Sequence, residues 1–265
     1  MIDPFKCLVA TDLDGTLLDH DTYDWKPAAP AIEVLSKLGV PVVFTTSKTR
    51  GEVEFLRKAI GNTDPFIVEN GGALIVPDGT FGDGGDEHLL GTSHAKILAF
   101  LNDRRAEGFS FVSFTDLGAT GIAEETGLGA VEARLANQRS ASEPIIWNGD
   151  EASKRAFVNL AAKAGLNALQ GGRFLTLGGR TDKGRALMEA VSLYQAAGHG
   201  IETIVALGDS GNDRALLDVA TYPIWIRKDG PTPETGFMNR AQCSVRCGPE
   251  GWRDVILDLF NGTKV

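Results

Sequence analysis

The chain has 265 residues, 43% of them hydrophobic and 23% charged, with a formal net charge of −9. That length buries one large core, or one core with a smaller satellite, and two lobes are expected. The acidic balance and the lack of any long basic run remove the electrostatic footprint of a nucleic-acid binder, and no apolar stretch approaches the length of a membrane span. Three cysteines, Cys7, Cys243 and Cys247, match neither a disulfide framework nor a zinc spacing, so a reducing, cytoplasmic setting is expected. The opening MIDPFK is too short and too acidic for a secretory leader.

Cys7-Leu8-Val9-Ala10 has the unbroken apolar character of a strand buried on both faces of a parallel sheet. It runs into Asp12 and Asp14. Side chains alternate along a strand, so both carboxylates project to one side beyond its carboxyl end, where open α/β sheets hold their ligands. Two like charges at roughly 4 Å, with an effective dielectric near 20, cost about 4 kcal/mol, so the pair calls for a cation, a shared proton or distance. Taken alone, aspartate before Gly15 is also ordinary turn chemistry.

A helix pattern with Ile32, Leu35 and Leu38 on one face follows Pro27 and stops at Gly39. Pro41-Val42-Val43-Phe44 then reads as a second buried strand, ending in the hydroxyl-rich Thr45-Thr46-Ser47-Lys48-Thr49. The helix TRGEVEFLRKAI and the strand Phe66-Ile67-Val68, which leads into Glu69-Asn70-Gly71-Gly72, complete a βαβαβ rhythm. This predicts an α/β fold with a doubly wound parallel sheet.

From Pro77 the rhythm breaks in PDGTFGDGGDEH. The next ninety or so residues carry helical patterns over 93–105, 121–137 and 151–164, and strand-like FSFVSF, EPIIW and RFLTL. This predicts an inserted α+β domain over 85–178, with the core over 1–84 and 179–265. Glycines at 82–85 and 178–179 are candidate hinges. Core character returns at Thr181-Asp182-Lys183-Gly184, which opens the helix RALMEAVSLYQAA. The strand Thr203–Leu207 then ends in Gly208-Asp209-Ser210-Gly211-Asn212-Asp213. A helix with Leu216, Leu217 and Val219, the strands YPIWI and CSVRC, and an amphipathic helix from Trp252 to Phe260 follow. Singly, Asp209 to Asp213 reads equally well as a helix-capping turn, and Lys183 as an ordinary first-turn lysine.

Together, D-L-D-G-T at 12–16, the hydroxyls at 45–47, Lys183 at a helix start and G-D-S-G-N-D at 208–213 resemble, in order and spacing, the four motifs of the haloacid dehalogenase superfamily of phosphohydrolases. The insertion after the third strand resembles the type II (C2B) cap of its sugar-phosphatase branch. The runs at 12–25, 42–52, 69–73, 138–147 and 171–184 narrow the likeness to the mannosyl-3-phosphoglycerate phosphatase family. The resemblance implies a Rossmann-like core and a Mg²⁺-dependent phosphatase in which Asp12 attacks phosphorus to form an aspartyl-phosphate and Asp14 moves protons. Mg²⁺ would be held by Asp12, the Asp14 carbonyl and Asp209, supported by Asn212 and Asp213. Lys183 and Thr46 would bind phosphate; Thr46 is chosen from its hydroxyl neighbours by motif alignment. In the cap, Arg139, Ser142, Glu143 and Arg173 would contact substrate, arginine suiting a carboxylate because its planar fork engages both oxygens.

The implied substrate is a small phosphorylated sugar-glycerate, mannosyl-3-phosphoglycerate, hydrolysed to mannosylglycerate, a compatible solute. No nucleic acid or membrane partner is implied, and the chain is expected as a monomer or homodimer. Glucosyl-3-phosphoglycerate, another sugar phosphate, or phosphomutase chemistry on the same core stay open. A signalling receiver shares clustered aspartates, Mg²⁺ and a lysine on such a sheet, but has no use for the insertion or for Asp14.

Overall fold

The computed structural model describes residues 2–82, 84–171, 173–228 and 240–261. The chain opens with β1 (Cys7–Thr11), α1 (Ala29–Leu38), β2 (Val42–Thr45), α2 (Arg50–Ile60), β3 (Phe66–Val68), β4 (Ala73–Val76) and β5 (Asp86–Leu89). The middle forms α3 (His94–Ala106), β6 (Phe111–Ser113), α4 (Phe114–Thr126), α5 (Ala130–Ala136), β7 (Ser142–Trp147), α6 (Glu151–Lys163), β8 (Leu166–Gln170) and β9 (Leu175–Gly179). It closes with α7 (Lys183–Ala196), β10 (Thr203–Gly208), α8 (Arg214–Asp218), β11 (Tyr222–Arg227), β12 (Gln242–Cys247) and α9 (Gly248–Leu259).

Eight strands make one sheet in the order β12-β11-β10-β1-β2-β3-β4-β5, parallel from β12 to β3 and antiparallel at β4 and β5. All five residues of β1 are buried, and they sort by parity. Cys7 and Val9 join the apolar cluster with α1, α2 and α9, whereas Leu8 and Ala10 join the cluster with α7 and α8. An uninterrupted apolar run is what a strand covered on both faces requires. Burial pushes the Cys7 thiol up to about 12, as expected of a structural cysteine. β1 lies between β2 and β10, where the strand order reverses, so its carboxyl end opens at the switch point of the sheet. From α9 the fully buried Trp252 donates its indole N–H to Thr11 Oγ1 at 3.0 Å, and the Thr11 hydroxyl donates to the Asp12 carbonyl at 2.7 Å.

The inserted segment builds a second, antiparallel sheet, β6-β7-β9-β8. Phe100, Phe111, Phe157 and Leu177 form its own core with α3 and α6. Three expectations are corrected. Residues 86–89, assigned by sequence to the insertion, pair with β4 as an edge strand of the large sheet. The glycine-rich segment 82–85 is therefore part of the β4–β5 connection rather than a hinge between lobes; residue 83 lies outside the described residues. The chain crosses between sheets at 90–93 and 179–182 instead. There a Cβ on Gly179 would fall 2.3 Å from Thr92 N, so the two crossings pack without room for a side chain. The single helix expected over 121–137 is two helices: α4 begins at Phe114 with a Ser113–Asp116 capping box and ends at Gly127 with φ 77°, before α5 starts.

Candidate active site

Three strand ends and one helix start meet at the switch point. Asp12 follows β1 and is held by its own amide, which donates to the Leu207 carbonyl of β10 at 2.9 Å. Gly15, with φ 77°, turns the chain back so that its amide reaches the Leu18 carbonyl. A Cβ there would fall 2.8 Å from Asp209 Oδ2, so glycine is required both by the backbone and by the carboxylate beside it. Lys183 begins α7, behind Asp182, whose side chain accepts the Arg185 amide. A cation at a helix amino end opposes the helix dipole. Two carboxylates offset that here: Lys183 Nζ lies 2.6 Å from Asp12 Oδ1 and 2.6 Å from Asp213 Oδ1, with its side chain fully buried.

Burial pushes the Asp12 carboxyl well above its ordinary value, reinforced by the charge of Asp213 and opposed by Lys183. Asp209 is raised for the same reasons, burial first and then Asp213, against the Lys228 ammonium at 3.2 Å. For Lys183, burial disfavours the charge, but Asp12 and Asp213 outweigh it and hold the ammonium above its ordinary value. Asp213 is saturated: its second oxygen accepts from the Asp209 and Ser210 amides and the Ser210 hydroxyl at 3.0–3.1 Å. Among the described residues, Asp12, Asp209 and Asp213 have carboxylate oxygens within 4.8 Å of one another. Three carboxylates thus face two ammonium groups, Lys183 and Lys228. When all three are ionised, one negative charge has no ammonium partner, and these clustered hard oxygen donors fit a hard divalent cation such as Mg²⁺.

The other sequence-predicted residues fall in two groups. Asp14, about one-third exposed, meets Lys48 Nζ at 3.0 Å; Asp14 lines a cavity under the inserted lobe, and Lys48 lines an adjoining one. Thr46 is buried, its hydroxyl accepting the Lys48 amide at 3.2 Å, while the neighbouring Ser47 lines the cavity. Asn212 donates to Asn70 Oδ1 at 3.2 Å. The cavity is about 740 Å³, walled by Asp12, Asp14, Asp209 and Lys228 from the core, and by Phe114, Arg139 and Phe174 from the lobe. Phe114 and Phe174 meet edge to face at 4.9 Å, and the Arg139 guanidinium lies 5.7 Å from the Phe114 ring centre.

Ser142 and Glu143 are buried and already engaged. Ser142 Oγ accepts from Arg139 and donates to Glu69. Glu143 takes His94 Nε2 at 2.7 Å and the Thr115 amide at 2.7 Å; burial pushes its carboxyl up, but these partners outweigh burial and hold it below its ordinary value. Arg173 faces an adjoining cavity and pairs with Glu125 at 3.5 Å. Sequence reasoning overlooked Lys228, Glu69 and Asn70. The pattern E-N-G-G entered as a strand end and as part of a run that carries the family likeness, with no role given to either residue.

A family profile for haloacid dehalogenase-like hydrolases matches residues 9–148. A glucosyl-3-phosphoglycerate/mannosyl-3-phosphoglycerate phosphatase from Methanococcoides burtonii is 37% identical over 266 aligned positions, covering 96% of this chain and 97% of the relative. Among solved structures, Thermoplasma acidophilum 0175 superposes with a TM-score of 0.70 at 20% identity, over 96% of this chain and 97% of its own. A phosphatase of the haloalkanoate superfamily from Bacteroides thetaiotaomicron gives 0.69 at 18% identity, over 96% and 94%. These two likenesses concern the fold.

Proposed function

The chain belongs to the haloacid dehalogenase-like hydrolases and is a phosphoric monoester hydrolase acting on a small phosphorylated molecule, and on that premise we propose that it converts mannosyl-3-phosphoglycerate to mannosylglycerate and phosphate. The observation that carries the substrate is the 37% identity to the Methanococcoides phosphatase over 96% of this chain, inserted lobe included. That relative's name covers both sugars, so glucosyl-3-phosphoglycerate is the second substrate. The cavity of about 740 Å³ is of the size that takes a small ligand. Arg139 in its roof suits the glycerate carboxylate, and the Phe114–Phe174 pair offers an apolar wall to the sugar. Arg173 is a second cation at the edge, and the lobe over residues 90–179 selects the substrate.

Asp12 is the nucleophile. A carboxylate nearing a phosphate dianion at about 4 Å meets two unit repulsions, on the order of 8 kcal/mol at an intermediate dielectric, so positive charge must already be in place. Lys183 supplies part of it from beside Asp12, and Thr46 adds a hydroxyl donor. Mg²⁺ held by the Asp12 and Asp209 carboxylates and the Asp14 carbonyl supplies the remainder when bound. Asp14 gives a proton to the leaving alkoxide as its bond to phosphorus breaks. It then takes a proton from the water that attacks the aspartyl-phosphate, which releases phosphate and restores Asp12. Asp213 and Asn212 hold the Asp209 loop, and Lys48 steadies Asp14.

A kinetic panel tests the substrate. The kcat/KM for mannosyl-3-phosphoglycerate should exceed that for mannose 6-phosphate by at least about two orders of magnitude, because the simple ester brings no carboxylate for Arg139 to engage. Equal turnover of simple hexose phosphates sinks the assignment. Release of inorganic phosphate, rather than its return to a bisphosphorylated sugar, separates hydrolysis from mutase chemistry. A melting experiment tests the cation without reference to turnover. At one hundred times its Kd, Mg²⁺ should stabilise the protein by about 2.7 kcal/mol, raising Tm in a way that EDTA reverses. Asp209→Asn should lose most of that rise; a wild-type Tm indifferent to Mg²⁺ removes the metal from the proposal.

A further inference from the structure

The turn from Glu69 to Gly72 touches the end of β2, the Asn212 loop, the approach to α7 and the inserted lobe. The Glu69 and Asn70 amides donate to the Lys48 and Thr46 carbonyls at 2.9 Å. Asn70 Oδ1 takes the Asn212 amide group at 3.2 Å, and the Thr181 hydroxyl donates to the Gly71 carbonyl at 3.1 Å. A Cβ on Gly71 would fall 2.3 Å from the Asp182 carbonyl oxygen, and one on Gly72 would fall 2.6 Å from Ala141 Cβ. Glu69 and Asn70 hold φ of 53° and 55°, a left-handed conformation that residues with side chains adopt only where their surroundings enforce it. The Glu69 carboxylate is buried and crosses to the inserted lobe. It accepts from Ser140 N at 2.8 Å, Ser140 Oγ at 3.1 Å, Ala141 N at 3.1 Å and Ser142 Oγ at 2.6 Å. Ser142 Oγ in turn accepts from Arg139 Nη1 at 2.9 Å.

We propose that Glu69 is a positioning residue: its carboxylate docks residues 140–142 of the inserted lobe onto the catalytic turn and, through Ser142, aims Arg139 at the substrate's carboxylate. The aim of Arg139 rests on the substrate proposed above; the docking does not. Four donors need two oxygens with their full set of lone pairs, which only an ionised carboxylate provides. Glutamine keeps one oxygen and turns an NH₂ group toward donors. Ser142, given to the substrate by family likeness, is here the relay between Glu69 and Arg139.

Two measurements test this. In Glu69→Gln, amide hydrogen exchange at Ser140 and Ala141 should quicken by about tenfold or more in the substrate-free protein, since the bonds that protect them are weakened. In the same variant, KM for mannosyl-3-phosphoglycerate should rise about tenfold with kcat changed less than about threefold, the mark of lost uniform binding. In an Arg139→Ala background the same substitution should move KM by less than about twofold, because the residue it positions is gone. Unchanged exchange overturns the docking, whatever the substrate. An equal KM effect in both backgrounds overturns the relay to Arg139. Fast exchange in the variant, with no turnover of this ester by the wild type, supports the docking and removes only the substrate. If Glu69→Gln does not fold, Ser142→Ala, which deletes the 2.6 Å bond, carries the same expectations at smaller size.

Discussion

Asp12→Asn is expected to cut phosphate release by at least about four orders of magnitude while leaving the fold intact. The two halves of this expectation come from the same surroundings. Asp12 is 5% exposed, and burial followed by the charge of Asp213 already pushes its carboxyl toward the neutral form. A neutral amide of the same shape therefore relieves a buried charge instead of creating an unpaired one, and Lys183 keeps Asp213 as its partner at 2.6 Å. Melting should stay level or rise. Chemistry, by contrast, has no substitute, because an amide does not attack phosphorus. Acid-quenched wild-type protein should carry phosphate on this residue and the variant none. Retention of more than about one percent of the wild-type rate would end the nucleophile assignment.

Lys183→Met should damage both activity and stability. The ammonium group stands between Asp12 and Asp213 and is fully buried, so its removal leaves two buried carboxylates facing each other without their shared counter-charge. Breaking a buried pair in this way costs about 3–5 kcal/mol. For a chain of this size that lowers Tm by roughly 6–20 °C. Loss of a cation aimed at a transferring phosphoryl group costs about two to three orders of magnitude in kcat. The contrast with Asp12→Asn is diagnostic: one variant should be inactive and stable, the other inactive and fragile. A Lys183→Met protein that melts with the wild type and retains its rate would remove the lysine from both roles.

The parts of the site legible in the sequence are those where a short buried strand ends abruptly in charge. Cys7–Ala10 before Asp12, and Thr203–Leu207 before Asp209, both show this, because a two-sided strand leaves no polar position until the chain leaves the sheet. Lys183, singly an ordinary first-turn lysine, was legible only in combination with the other motifs of the family the chain resembles. The edge strand β5, Asp-Glu-His-Leu, has no apolar alternation and is held by pairing with β4, so nothing local announces it. The break between α4 and α5 depends on the left-handed Gly127, one glycine among several in that stretch. Lys228, Glu69 and Glu143 owe their partners to contacts made across the fold: Glu69 meets Ser142 73 residues away, and Glu143 meets His94 49 residues away. Periodicity reports the face on which a side chain lies, and it is silent on which distant group that face meets.

The register of β1 against β10 carries a consequence for biosynthesis. Cys7 pairs with Thr203, and the Asp12 amide is held by the Leu207 carbonyl. Asp12 precedes Leu207 in the chain, so β1 has no partner on that side until β10 has also been made. Its tie to Trp252, through Thr11, comes later still. The inserted lobe is contiguous in sequence, with its own aromatic core, so its contacts are available to a shorter nascent chain than those that bring Asp12, Lys183 and Asp213 together.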